Sequence, residues 1–243
     1  MPAHLVLVHG SRLSSAQWAP QLPLLDGPAT VGLVDLPGHG ARAAEEFTLD
    51  RCVEVIDEAV RATPSGAPVV LAGHSLGGYA AMAYAAQRGE RLSGLVLAGC
   101  SAAPVGPGAA VYRLVARITD RLGEDRMTRI NDCVLRRLYP AHLVDPVIAG
   151  GYYFAPTARA WAEVMARCRP SMLAGLACPV LILNGQFDQF RIGASSFVRR
   201  LHGLGLRDVR VEVIPRASHL SNLDQPEAFA AALLRFADSV VAR

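Results

Sequence analysis

A serine fenced by glycines, G-H-S-L-G at residues 73–77, carries chemistry in its spacing. The apolar run "PVVLA" leads into it and an alanine-rich stretch, "LGGYAAMAYAAQR", leads away. A strand that turns abruptly into a helix forces its corner residue into a strained backbone and presents it at the helix N-terminus. Gly73, Gly77 and Gly78 leave room around that corner, and Ser75 is the candidate nucleophile. A hydroxyl is a weak nucleophile at neutral pH, so a base must lie within reach, with an acid to orient it.

Where such a serine closes a strand, the acid and then the histidine follow it along the chain. Seven histidines compete for the role. His9, His39 and His74 precede or adjoin the serine, His142 falls in a long helical interval, and His202 sits inside a helical pattern. Each reads as a packing or hydrogen-bonding residue. His219 differs, because "RASHLSN" follows the strand-like "VRVEVIP" and precedes a helix near Pro226. Asp188 follows "PVLILNG" in the same way, whereas "GLVLAG" is followed by Cys100 and Ser101, with no carboxylate before Asp120. All three candidates then fall at the carboxyl edge of a sheet, where α/β folds build their sites. A tetrahedral intermediate needs preorganised N–H donors. Leu76 offers one, and Ser11, in the loop "VHGSR", offers the other. Arg12 beside it either faces solvent or pairs with a substrate carboxylate.

These loops need a scaffold, and its elements are legible. Short apolar runs recur at residues 4–9, 30–35, 68–73, 93–99, 178–185 and 209–215, with helical spacing at 49–63, 76–88, 194–204 and 226–241. Continuously apolar strands alternating with amphipathic helices imply an α/β domain with a mostly parallel sheet covered on both faces. At 243 residues and 51% apolar content, the chain is long enough for one well-buried core. From about 101 to 176 no strand is predicted, only helical patterns broken by prolines. That interval reads as a helical lid inserted between a core of residues 1–100 and 177–243.

The interval carries ten arginines against six acids, and Arg113, Arg117 and Arg121 share one helical face, either solvated or able to dock an acidic partner. Its aromatic residues Tyr112, Tyr139, Tyr152, Tyr153, Phe154 and Trp161 either line a pocket or pack lid against core. Trp18 is expected in the core. All 24 basic residues are arginine, which excludes a lysine Schiff base or lysine phosphate clamp. The five cysteines are scattered and read as reduced thiols. No signal-peptide pattern precedes the first strand, and no apolar run approaches the roughly 18 residues of a membrane span. A cytoplasmic protein is the expectation.

The elements "VHGSRLSSAQW", "DLPGHGAR", "GHSLGG", "LNGQFD" and "IPRASHLSNLDQPEAF" together resemble the α/β-hydrolase superfamily across almost the whole chain outside the lid. The resemblance implies acyl transfer through an acyl-enzyme, with Ser75, Asp188 and His219 as the triad. Many members begin with an antiparallel hairpin. Here the first strand already ends in His-Gly, leaving about six strands, as in the plant methylesterase and hydroxynitrile lyase branch. The lyases of that branch hold cyanide with a lysine beside the catalytic histidine, and Leu220 stands there instead. Ser75 in place of an aspartate likewise sets the chain apart from haloalkane dehalogenases and related epoxide hydrolases.

A cofactor-independent serine hydrolase acting on an ester, lactone or thioester is therefore expected, with no metal implied. Its partner would be a mainly apolar small molecule, with no nucleic acid. A lyase or C–C bond hydrolase using the same triad, and a ligand receptor retaining the pocket, are the alternatives.

Overall fold

The computed structural model describes residues 1–101 and 123–242. Six strands, β1 (His4–Val8), β2 (Thr30–Val34), β3 (Val69–His74), β4 (Gly94–Ala98), β5 (Val180–Gly185) and β6 (Val209–Ile214), form one sheet in the order β2-β1-β3-β4-β5-β6. Every pair is parallel, with Val8 opposite Gly73 and His74 opposite Ala98. Each strand lies within or one residue outside its apolar run. Parallel neighbours need long crossovers, and helices supply them. In chain order these are α1 (Leu22–Leu25), α2 (Leu49–Arg61), α3 (Leu76–Arg88), α4 (Glu124–Leu138), α5 (Ala141–Ala149), α6 (Thr157–Arg167), α7 (Ala194–Gly203), α8 (Ser221–Asp224) and α9 (Pro226–Val241).

Alternation along the strands feeds two cores. Val6, Val8, Leu71, Leu95, Leu97 and Ile182 point to one face, where α2, α3 and α7 cover them through Ile56, Tyr79 and Phe197. Leu5, Leu7, Val70, Val96 and Leu181 point to the other, where Trp18, Leu25, Phe229 and Leu233 close the layer. A fully buried side chain of this size contributes about 1.5–3 kcal/mol relative to exposure, so the sheet is held mainly by these layers. Helix α2 shows how the pattern works: Leu49, Val53, Ile56 and Val60 recur on one face and are buried. Thr48 caps it, its hydroxyl accepting from the Arg51 N–H at 3.1 Å.

The chain leaves β1 toward β2 on one side and later returns to lay β3 on the other. Strand order therefore reverses between β1 and β3, and the loops after their carboxyl ends diverge to leave a crevice. Among the described residues no strand lies between β4 and β5. That interval holds α4, α5 and α6, and it is tied to the sheet's carboxyl edge by polar contacts. The Tyr153 N–H donates to the Arg12 carbonyl at 2.9 Å, Ser14 Oγ to the Gly150 carbonyl at 3.2 Å, and Arg159 Nε to the Phe47 carbonyl at 2.8 Å.

Candidate active site

Ser75 occupies the corner between β3 and α3 with φ 52° and ψ −115°. A non-glycine residue there carries about 1–3 kcal/mol of backbone strain, which the surroundings must impose. They do so by crowding. A Cβ on Gly73 would overlap the Gly77 backbone, and one on Gly77 would overlap the carbonyls of Val8 and His9. Only glycine lets α3 press this closely on the end of β1. The Ser75 N–H donates to the Ala98 carbonyl at 2.8 Å, fixing the corner to β4.

His219 Nε2 lies 3.0 Å from Ser75 Oγ, and its Nδ1 lies 3.1 Å from Asp188 Oδ1. A carboxylate only accepts, so Nδ1 carries the proton and donates to Asp188, leaving Nε2 to accept from the serine hydroxyl. The Asp188 side chain is fully buried, and the same Oδ1 accepts from the Phe190 N–H at 2.9 Å. Phe190 stacks on the His219 ring at 5.0 Å and shields it from one side. The strand ends thus bring together three residues separated by 31 and 144 positions in the chain.

These groups open onto a cavity of about 340 Å³ lined on one side by Gly10, Ser11, Arg12 and Leu13, and on the other by Thr157, Trp161, Phe190 and Leu220. Ser11 follows β1 and shares the cavity with Ser75. Leu76 is the first residue of α3, and its N–H has no intrahelical acceptor. Arg12 adopts φ 69° and its guanidinium lies over the Phe154 ring at 5.5 Å. Of the other aromatic candidates, Trp161 lines the cavity and packs edge-on against Tyr79 at 6.0 Å.

Tyr139, Tyr153 and Phe154 do not line it. Tyr139 donates to Asp224 at 2.9 Å and Tyr153 to the Gly150 carbonyl at 3.1 Å, so their hydroxyls serve contacts within the fold. Tyr112 and the Arg113, Arg117 and Arg121 stripe lie outside the described residues. Several lining residues escaped the sequence reading, Leu13, Phe190 and Thr157 among them. Thr157 begins α6, and its Oγ1, like Ser11 Oγ, is buried without a hydrogen-bond partner among the described residues. Nothing in a lone threonine after a proline marks it.

Buried histidines surround the triad-like arrangement. Burial, reinforced by His39, pushes His9 down to about 3, and burial, reinforced by His219, does the same to His74. Both are neutral. Among the described residues no cluster of three or more His, Cys, Asp or Glu side chains is arranged to hold a metal ion, and no helix is long and apolar enough to cross a membrane.

Known proteins repeat this architecture. The Thermogutta terrifontis thermophilic esterase, solved with malate bound, superposes with a TM-score of 0.78 at 26% identity, over 99% of this chain and 91% of that one. A hydrolase from Pseudomonas aeruginosa PA01 gives 0.73 at 26% identity, over 97% and 89%. A pimeloyl-[acyl-carrier protein] methyl ester esterase from Edwardsiella ictaluri is 29% identical, over 96% of this chain and 93% of its own. Its namesake in Stenotrophomonas maltophilia (strain K279a) is 40% identical over 93 residues, so the match spans about a third of each protein, 38% of this chain and 34% of that relative. The profile of the alpha/beta hydrolase family matches residues 5–232, nearly the full length, and the chain belongs to that family.

Proposed function

We propose that the protein is a serine hydrolase of small to medium carboxylic esters, lactones or thioesters. One observation carries the reading: the hydrogen-bonded chain from Ser75 through His219 to Asp188 ends at a cavity large enough for a compact acyl group. The names of the esterase relatives support the same reaction class.

In this reading His219 Nε2 takes the Ser75 proton as Oγ attacks the substrate carbonyl carbon. The N–H groups of Ser11 and Leu76 hold the oxyanion. The intermediate collapses, the bond to the leaving group breaks, and His219 returns the proton to the departing alcohol or thiol. Water then attacks the acyl-enzyme, giving its proton to Nε2, and releases the carboxylic acid and free Ser75. Asp188 keeps Nδ1–H aimed away from the serine and stabilises the transient imidazolium. Leu13, Trp161, Phe190 and Leu220 suit an apolar acyl chain, and α4, α5 and α6 are the described part of the lid this reading places over it.

Stopped-flow hydrolysis of p-nitrophenyl esters of increasing chain length tests this reading, with Ser75→Ala run alongside. A nitrophenolate burst equal to the enzyme concentration, absent in the variant, is the expected result. Identical release by the two proteins would overturn it.

A further inference from the structure

A second polar chain adjoins the serine and histidine, reaching the same cavity only at Gly10 and the edge of His74, and ester hydrolysis as written above makes no use of it. Gln17, Gln21, His74 and Asn222 are all essentially inaccessible to solvent. The Gly10 N–H donates to Gln17 Oε1 at 2.7 Å, Gln17 Nε2 lies 3.0 Å from His74 Nδ1, and His74 Nε2 lies 2.8 Å from the His219 carbonyl. Chemistry sets every direction. The carbonyl only accepts, so the His74 proton sits on Nε2 and Nδ1 accepts. Gln17 must then turn its amide hydrogens to His74 and its oxygen to Gly10.

Asn222 anchors the same cluster, donating to the Gln17 carbonyl at 3.1 Å and to Gln21 Oε1 at 3.2 Å, while Gln21 Nε2 donates back to the Asn222 carbonyl at 2.6 Å. The fit is tight, since a Cβ on Gly10 would lie 2.9 Å from His74 Nδ1. Three loops meet here: the one after β1 carrying Gly10 and Ser11, the corner before Ser75, and the one after β6 carrying His219.

We propose that Gln17 and His74 are positioning residues, a buried relay that holds the His219 main chain and the Ser11 loop in one fixed register around Ser75. This rests on the hydrolase reading for its kinetic consequence and on the hydrogen-bond pattern alone for its geometry. Fully satisfied buried networks rigidify what they join, and a misplacement of about 1 Å at a reacting group costs up to about a hundredfold in rate.

The test uses Gln17→Met, His74→Phe and the double variant on p-nitrophenyl butyrate, with folded fraction measured by circular dichroism. Wild-type turnover, measured first, tests the hydrolase reading by itself. The relay is read from ratios to wild type. Each single variant should lose about 10- to 100-fold in kcat with KM within about threefold, and the double variant should lose no more than the worse single one. Unchanged kcat in folded variants, a change in KM alone, or losses that multiply would overturn the proposal.

Should the variants not fold, ¹⁵N NMR of the wild-type histidine rings decides. A His74 ring that stays neutral with its proton on Nε2 from pH 5 to 9 supports the relay. A His74 that titrates in that range, or carries its proton on Nδ1, contradicts it.

Discussion

Lowering the pH from 7 to 5 should destabilise the fold through two histidines. His9 Nδ1 donates to the Gly10 carbonyl at 2.8 Å and its Nε2 accepts from the Leu36 N–H at 3.0 Å. A proton on Nε2 would face that N–H, donor against donor. A proton on His74 Nδ1 would likewise face the Gln17 amide. Burial, as the larger cause, holds both residues near 3, well below the ordinary histidine value.

The unfolded chain therefore binds protons that the folded chain refuses, and stability falls as pH drops through the window between about 6.5 and 3. With those two values, going from pH 7 to 5 costs about 2 kcal/mol per histidine, or about 4 kcal/mol together. That is a large share of the roughly 5–15 kcal/mol of a typical domain. His39, also lowered chiefly by burial, adds in the same direction. Asp35 and Asp57, held below the usual carboxylate range by their hydrogen bonds, lose their contribution only below about pH 4 and leave this window to the histidines.

Urea unfolding at pH 7, 6 and 5 measures the slope, and His9→Gln or His74→Gln should each remove about half of it, because glutamine donates and accepts without titrating. Equal unfolding free energies at pH 7 and 5, or full slope in both variants, would refute the reasoning.

Other perturbations have equally definite outcomes. Thr157→Val removes a buried hydroxyl that has no partner among the described residues and should raise the unfolding free energy by about 1 kcal/mol in urea titrations. Gly78→Ala drives a Cβ into Cys100 Sγ and should cost about 1–3 kcal/mol, and adding Cys100→Ala should recover most of that loss, a coupling readable in a double-mutant cycle. Asp57 accepts from Arg61 Nε at 2.6 Å and from the Tyr84 hydroxyl at 3.1 Å, and pairs with Arg88. Asp57→Ala strands these groups and should lower the unfolding free energy by about 3 kcal/mol by thermal or urea melts.

Local signals carried far along this chain. The β-branched and leucine runs mark the six strands because a strand buried on both faces has no polar side to show, and the 49–63, 76–88 and 226–241 spacings mark α2, α3 and α9. Ser75 stands out because its corner needs glycines, and Asp188 and His219 because each follows a strand. Residues that act across the fold left no such trace. Gln17 and Asn222 are 205 positions apart and look like ordinary surface amides until the loops close on them. From the sequence Tyr139 and Tyr153 could equally line a pocket or pack lid against core, and their hydroxyl partners at Asp224 and Gly150 come near only in the packed chain. Thr157 gains its significance solely from the cavity it faces.

The central claim is that Ser75 is an activated nucleophile. Incubating the protein with a fluorophosphonate and mapping the modified peptide by mass spectrometry tests it most directly. One phosphonyl group per chain on Ser75, formed at a rate that falls steeply in His219→Ala, is the expected result. A folded protein left unmodified at Ser75, or one labelled equally fast without His219, would contradict the account.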